Sequence, residues 1–152
     1  MNYTELQAQY PKLNIQELDL TEVDGLKGLC LDENIAIEKK LSQNEKNCIL
    51  AEELGHYHTS FGNILNQTII SNRKQEHIAR LWAYDKLIGL PGIIQGYKMH
   101  CQSLYELANF FDVTEAFLKE ALECYRAKYG CYTEIDGYVI MFEPHLSVVE
   151  KL

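Results

Sequence analysis

The chain has 152 residues, a formal net charge of −8, 47% hydrophobic residues and no low-complexity tract. This length supports one domain with a sizeable core. The excess of acid disfavours nucleic acid as the main partner, because binding phosphates needs a basic face. No apolar run reaches the ~18 residues of a membrane span, and no charged-then-apolar leader opens the chain. We therefore expect a cytoplasmic protein that does not use a membrane.

The cysteines support the same compartment. There are five, an odd number, and none of them has Cys-x-x-Cys spacing. This usage is typical of reduced thiols in a cytosol rather than of a disulfide framework or a cysteine zinc site.

The first part of the chain predicts a short helix and a hairpin. Residues 1–10 are amphipathic, and residues 12–24 carry no clear pattern. Residues 26–31 and 34–37 predict two short strands joined by a tight turn. This hairpin either only completes the core or offers its exposed edge to an extended peptide by strand addition.

The most informative stretch is the helix expected after Ser42. Ser42 with Glu45 forms a capping-box pattern, so a helix should begin at the next residue. At about 100° per residue, Glu52, Glu53 and His56 fall within about 100° of arc. The rest of the helix is apolar or small, so it should be buried. Buried carboxylates and imidazoles are costly unless they are paired or hold a metal.

The same stretch is an altered form of His-Glu-x-x-His, in which two histidines bind zinc and the glutamate is the base. His56 occupies the second histidine position and Glu53 the base position. Glu52 replaces the first histidine, and a carboxylate can still ligate zinc. His58 is a weaker candidate, because on a continuing helix it points almost opposite this face.

A second helix, predicted over residues 73–87, brings a further carboxylate. Ala79 and Ala83 follow Glu76 at helical spacing. This stripe of small residues lets the helix approach a neighbour closely and carry the Glu76 carboxylate into the interior. Glu76 is therefore the candidate third metal ligand, and His77, about 100° round the helix, is the competing one.

The C-terminal part, residues 91–152, predicts a helical unit and a hairpin packed on a core of residues 1–90. Helices over 104–111 and 115–129 form a compact helix-turn-helix pattern. Residues 92–130 carry five acids against four bases, which favours a packing or partner-binding unit over a DNA-binding one.

The last elements expected are strands over residues 132–135 and 138–142. They flank Asp136 and Gly137, a dipeptide typical of a type I′ hairpin. Pro144 should end the second strand, and the tail beyond it is expected to be loosely held. The expected class is α+β and mostly helical.

Several segments of the chain together resemble a known family. These segments are residues 48–56, Thr59, residues 73–80, Tyr129-Gly130 and Phe142-Glu143-Pro144. The family that they resemble is the ImmA/IrrE-type metallo-endopeptidases, and the resemblance spans residues 26–144. The resemblance implies a zincin-like fold and zinc-dependent cleavage of a helix-turn-helix repressor of a phage or mobile element.

Carried over by position, the resemblance implies Glu53 as general base and Glu52, His56 and Glu76 as zinc ligands. The family's first ligand is usually histidine, so Glu52 makes the set harder and more anionic. Two alternatives stay open: a catalytically silent relative that antagonises a repressor by binding alone, and a DNA-binding regulator.

Overall fold

The computed structural model describes residues 1–59 and 69–152, with the side chains of residues 69–71 left aside. The described residues form an α+β arrangement, as predicted, with helices and two small sheets. Its elements in chain order are α1 (Tyr3–Ala8), β1 (Asn14–Leu18), β2 (Gly28–Leu31), β3 (Asn34–Glu38), α2 (Gln43–Thr59), α3 (Ile69–Leu87), α4 (Gly89–Lys98), α5 (Leu104–Phe110), α6 (Glu115–Tyr129), β4 (Tyr132–Ile135), β5 (Tyr138–Met141) and β6 (Ser147–Glu150).

The N-terminal sheet has the strand order β1-β3-β2. Its antiparallel β2–β3 hairpin confirms the prediction, and Asp32 in the turn takes a positive φ of 54°. Strand β1 was not expected: it pairs in parallel with β3, with Ile15 opposite Ile35. Only Ile15 of β1 is partly buried, so the strand lacks the alternation that identifies strands in a sequence.

Helices α2 and α3 form the centre of the molecule. Helix α2 begins at Gln43 as predicted, and Ser42 Oγ accepts a hydrogen bond from Glu45 N at 3.2 Å. A Cβ placed on Gly55 would lie 2.3 Å from the carbonyl oxygen of Ala79. Ala79 and Ala83 are fully buried, which confirms the small-residue stripe. Helix α3 begins at Ile69, earlier than predicted.

The helical unit α4–α6 packs against this pair. The predicted caps are confirmed, since Ser103 accepts from Glu106 N and Thr114 accepts from Phe117 N. Tyr125 on α6 donates its hydroxyl hydrogen to Asp85 on α3 at 2.8 Å. The C-terminal unit is thereby tied to the helix that carries Glu76.

The C-terminal sheet has the order β4-β5-β6. Asp136 and Gly137 take φ values of 51° and 82°, as the predicted hairpin requires. The prediction of a loosely held tail is wrong, because β6 pairs antiparallel with β5 and Val148 lies opposite the buried Ile140. None of the helices that the structure describes has the length and apolar character needed to cross a membrane.

Candidate active site

A cleft of about 690 Å³ opens between strand β2 and the α2–α3 pair. Three of the four sequence-predicted site residues line it. The lining residues are Gly28, Leu29, Cys30, Asp32, Glu33, Glu53, His56, Tyr57, Asn72, Gln75 and Glu76.

Glu53 lies on the floor of this cleft, under strand β2. A Cβ placed on Gly28 would lie 2.5 Å from Ile49 Cγ2 and 3.0 Å from Glu53 Oε1, so only glycine allows the strand to pass this close to α2. Burial, together with the charges of Glu52 and Glu76, raises the pKa of Glu53 to about 7. A carboxyl group with a pKa near neutrality is suited to accept and return a proton.

His56 and Glu76 meet across the α2–α3 interface. His56 Nε2 and Glu76 Oε2 are 3.1 Å apart, and their side chains are 27% and 45% exposed. The close approach at Gly55 and Ala79, one residue before His56 and three after Glu76, places the two side chains side by side. The structure therefore brings two of the predicted metal ligands together, open to the cleft.

Glu52 is not among the residues that line this cleft. It lines a second cavity of about 340 Å³, which includes Lys27, the residue before β2, and Glu120 from α6. Burial raises the pKa of Glu52 to about 6, while the positive charge of Arg80 acts in the opposite direction. Arg80 Nε also lies 3.7 Å from Glu76 Oε1, so the same guanidinium pairs with Glu76 and acts on the charge of Glu52.

These positions bear directly on the predicted zinc site. Within residues 1–59 and 69–152, no group of three His, Cys, Asp or Glu side chains is placed to hold a metal ion. A catalytic zinc site normally has three protein ligands. His56 and Glu76 fit two of these positions, and Glu52, in this arrangement, does not supply the third.

The two competing histidines lie elsewhere. The His58 ring stacks on the Trp82 ring with centroids 4.8 Å apart and also contacts Tyr10. His77 is exposed, and neither histidine is among the residues that line the cleft.

Three polar lining residues, Cys30, Asp32 and Glu33, are not among the predicted site residues. One signal could have found Cys30: it is two residues from Gly28 on a strand, so both face the same side of the sheet. Asp32 and Glu33 form the hairpin turn, and their position depends on how the whole hairpin sits on α2.

Comparison of the chain with known protein families, with curated proteins and with solved structures gives no match.

Proposed function

We propose that this protein is an endopeptidase of the ImmA/IrrE type, which binds an extended segment of another protein in the cleft and hydrolyses one of its peptide bonds. The observation that carries the proposal is the position of Glu53. Its carboxyl group, with a pKa near neutrality, lies on the cleft floor under a strand edge and in the same cleft as His56 and Glu76.

The strand edge supplies the means to hold the segment. Glu38 N donates to Lys27 O at 2.9 Å, so the alternation of an antiparallel ladder turns the N–H and C=O groups of Gly28 and Cys30 away from β3. In the part of the chain that the structure describes, no strand pairs with that second edge of β2. An extended segment added there lies next to Gly28, directly over Glu53.

Glu53 is the proton carrier of the proposed reaction. It accepts the proton of the attacking water and returns it to the amine that leaves when the C–N bond breaks. A pKa near neutrality suits both transfers, because neither protonation state is strongly disfavoured. His56 and Glu76 would hold a zinc ion, which when bound polarises the carbonyl and lowers the pKa of water.

The family resemblance supports a specific partner, a helix-turn-helix repressor of a phage or mobile element, cleaved in the cytoplasm. The overall charge of −8 is consistent with a protein partner rather than with DNA as the ligand of this chain.

Replacing Glu53 with Gln tests this function. Gln keeps the shape of the side chain but cannot take a proton, so cleavage of a repressor substrate should slow by roughly 10²–10⁴-fold. The variant should remain folded, and the metal content of protein purified without chelators should stay near wild type. Glu150→Gln, an exposed change on β6, is the matched control and should leave the rate unchanged. Cleavage by Glu53→Gln at the wild-type rate would exclude Glu53 as the base.

A second candidate is a relative that antagonises a repressor by binding without cutting it. The position of Glu52 in a separate cavity, next to Arg80, favours this candidate, because it leaves the predicted three-ligand set incomplete. Calorimetric titration of zinc into metal-free wild type and Glu52→His separates the two. A rise in affinity with histidine places this residue at the metal. Negligible zinc binding by the wild type favours the binding-only protein.

A further inference from the structure

We infer that the cleft selects a cationic segment: an extended stretch of the partner protein with Lys or Arg facing the cleft floor and apolar side chains at the alternating positions. The inference rests on the proposed function, since it gives the chemistry of the polypeptide that the same site takes.

The charge of the cleft supports the first part of the inference, the preference for Lys or Arg. Its lining contains four carboxyl side chains, those of Asp32, Glu33, Glu53 and Glu76, and no Lys or Arg among the residues that the structure describes. Arg80 partly offsets the charge of Glu76 but is not part of the lining. Asp32 and Glu33 have no cation beside them in the lining, so they attract a bound Lys or Arg and repel a bound Asp or Glu.

The two ends of the cleft contribute differently. Asp32 and Glu33 are exposed in the turn that ends β2, outside the proposed catalytic group. Glu53 and Glu76 lie deeper, between the two helices and the strand. The turn carboxylates can therefore be changed to test charge selection without altering the residues proposed to act on the peptide bond.

The pleat of the sheet supports the second part of the inference, the alternation of cationic and apolar residues. Side chains of adjacent residues on a strand point to opposite faces. Gly28 and Cys30 face α2, whereas Leu29 and Leu31, 49% and 67% exposed, cover the outer face. A strand added beside β2 places every second side chain against these leucines and the others over the carboxylates. This geometry requires apolar and cationic residues in alternation, not merely a positive net charge.

The experiment compares three labelled peptides of about ten residues, binding to the Glu53→Gln protein so that none is cut. One alternates Val and Lys, one alternates Val and Glu, and one groups the same Val and Lys residues into two blocks. Calorimetric titration at about 0.15 M salt should show the alternating Lys peptide binding at least tenfold more tightly than the Glu peptide, and more tightly than the blocked one.

A double change, Asp32→Asn with Glu33→Gln, then tests the location of the charge. Asn tolerates the positive φ at position 32, so the turn is kept. Affinity for the alternating Lys peptide should fall by about 3- to 10-fold, the range expected for two partly exposed charge pairs. Glu150→Gln, which removes one charge from the other sheet, should change it by less than about 1.5-fold per charge.

Three outcomes overturn the inference: equal affinity for the Lys and Glu peptides, equal affinity for the alternating and blocked peptides, or an equal loss per charge in the two variants. The proposed function fails separately. If wild type does not cleave a repressor while the alternating preference is present, the peptidase proposal falls and the selectivity stands. If wild type cleaves a repressor but shows no charge preference, the selectivity falls and the peptidase proposal stands.

Discussion

The two cavities beside α2 show how differently two adjacent residues of one helix can be placed. Glu53 lies in a cleft with an open strand edge and the His56–Glu76 pair. Glu52 lies in a smaller cavity lined by residues of α2 and α6 and by Lys27, and it feels the charge of Arg80. Helical spacing fixes the angle between two side chains, but the elements packed around the helix decide what each one meets.

The largest effect is expected from a change at the close contact between α2 and α3, on which both cavities depend. Gly55→Ala places a methyl group 2.3 Å from the Ala79 carbonyl oxygen, a backbone atom that can move only if α2 and α3 separate. Helix propensity alone predicts about 1 kcal/mol of stabilisation from this change, whereas overpacking predicts a loss of about 2–3 kcal/mol. Urea unfolding measures the sign. A more stable variant would show that the two helices are not in close contact at this point.

The next prediction concerns the pH dependence of stability in chelator-treated protein. Folding raises the pKa of Glu53 from 4.5 to about 7, so the folded state holds this proton more tightly. Its contribution is therefore fully present below about pH 4.5 and is lost as pH rises through 7. With partial exposure taken into account, the loss should be about 2 kcal/mol. Glu53→Gln should flatten the curve between about pH 4.5 and 7 in urea unfolding; an unchanged slope there would contradict the buried placement.

Glu52 should show the same sign over a lower and narrower range. Its pKa rises from 4.5 to about 6, so its stabilising contribution should disappear as pH rises through 6. The loss is expected to be about 1 kcal/mol, again after allowing for exposure. Glu52→Gln should remove the part of the slope below about pH 6 and leave the part above it. If Glu52→Gln also flattens the curve between about pH 6 and 7, the two carboxyl groups share one environment and the distinction between the cavities fails.

The smallest effect is expected at Arg80, whose charge acts on both Glu52 and Glu76. Its charge lowers the pKa of Glu52. Arg80→Gln should therefore raise that pKa and extend the Glu52-dependent loss of stability to higher pH. Because Arg80 is half exposed and pairs with Glu76 at 3.7 Å, its removal should cost only about 0.5 kcal/mol near neutral pH. Lys119→Gln, in the exposed pair with Glu115, is the control and should not shift the curve.

Local signals predicted a large part of the fold. The capping residues at Ser42, Ser103 and Thr114 act within one helical turn, and the Asp136-Gly137 turn sets its own hairpin, so these elements were predicted correctly. Strand β1 and strand β6 were missed or misjudged, because each is held by a partner strand rather than by a pattern of its own.

The candidate site divides in the same way. The pairing of His56 with Glu76 follows from helical spacing plus the stripe at Ala79 and Ala83, and both are visible in the sequence. The separation of Glu52 is not visible there, since it depends on where α6 and the Arg80 side chain pack. Tertiary packing is the level at which sequence patterns stop predicting.

The stacking of His58 on Trp82 also provides an optical reporter. Trp82 is the single tryptophan of the chain, so its fluorescence comes from one place, the junction of α2 with α3. Neither ring lines the cleft, so a ligand seated there does not touch the indole. Emission from this one side chain can therefore follow the opening of the helix pair while the cleft is filled or empty.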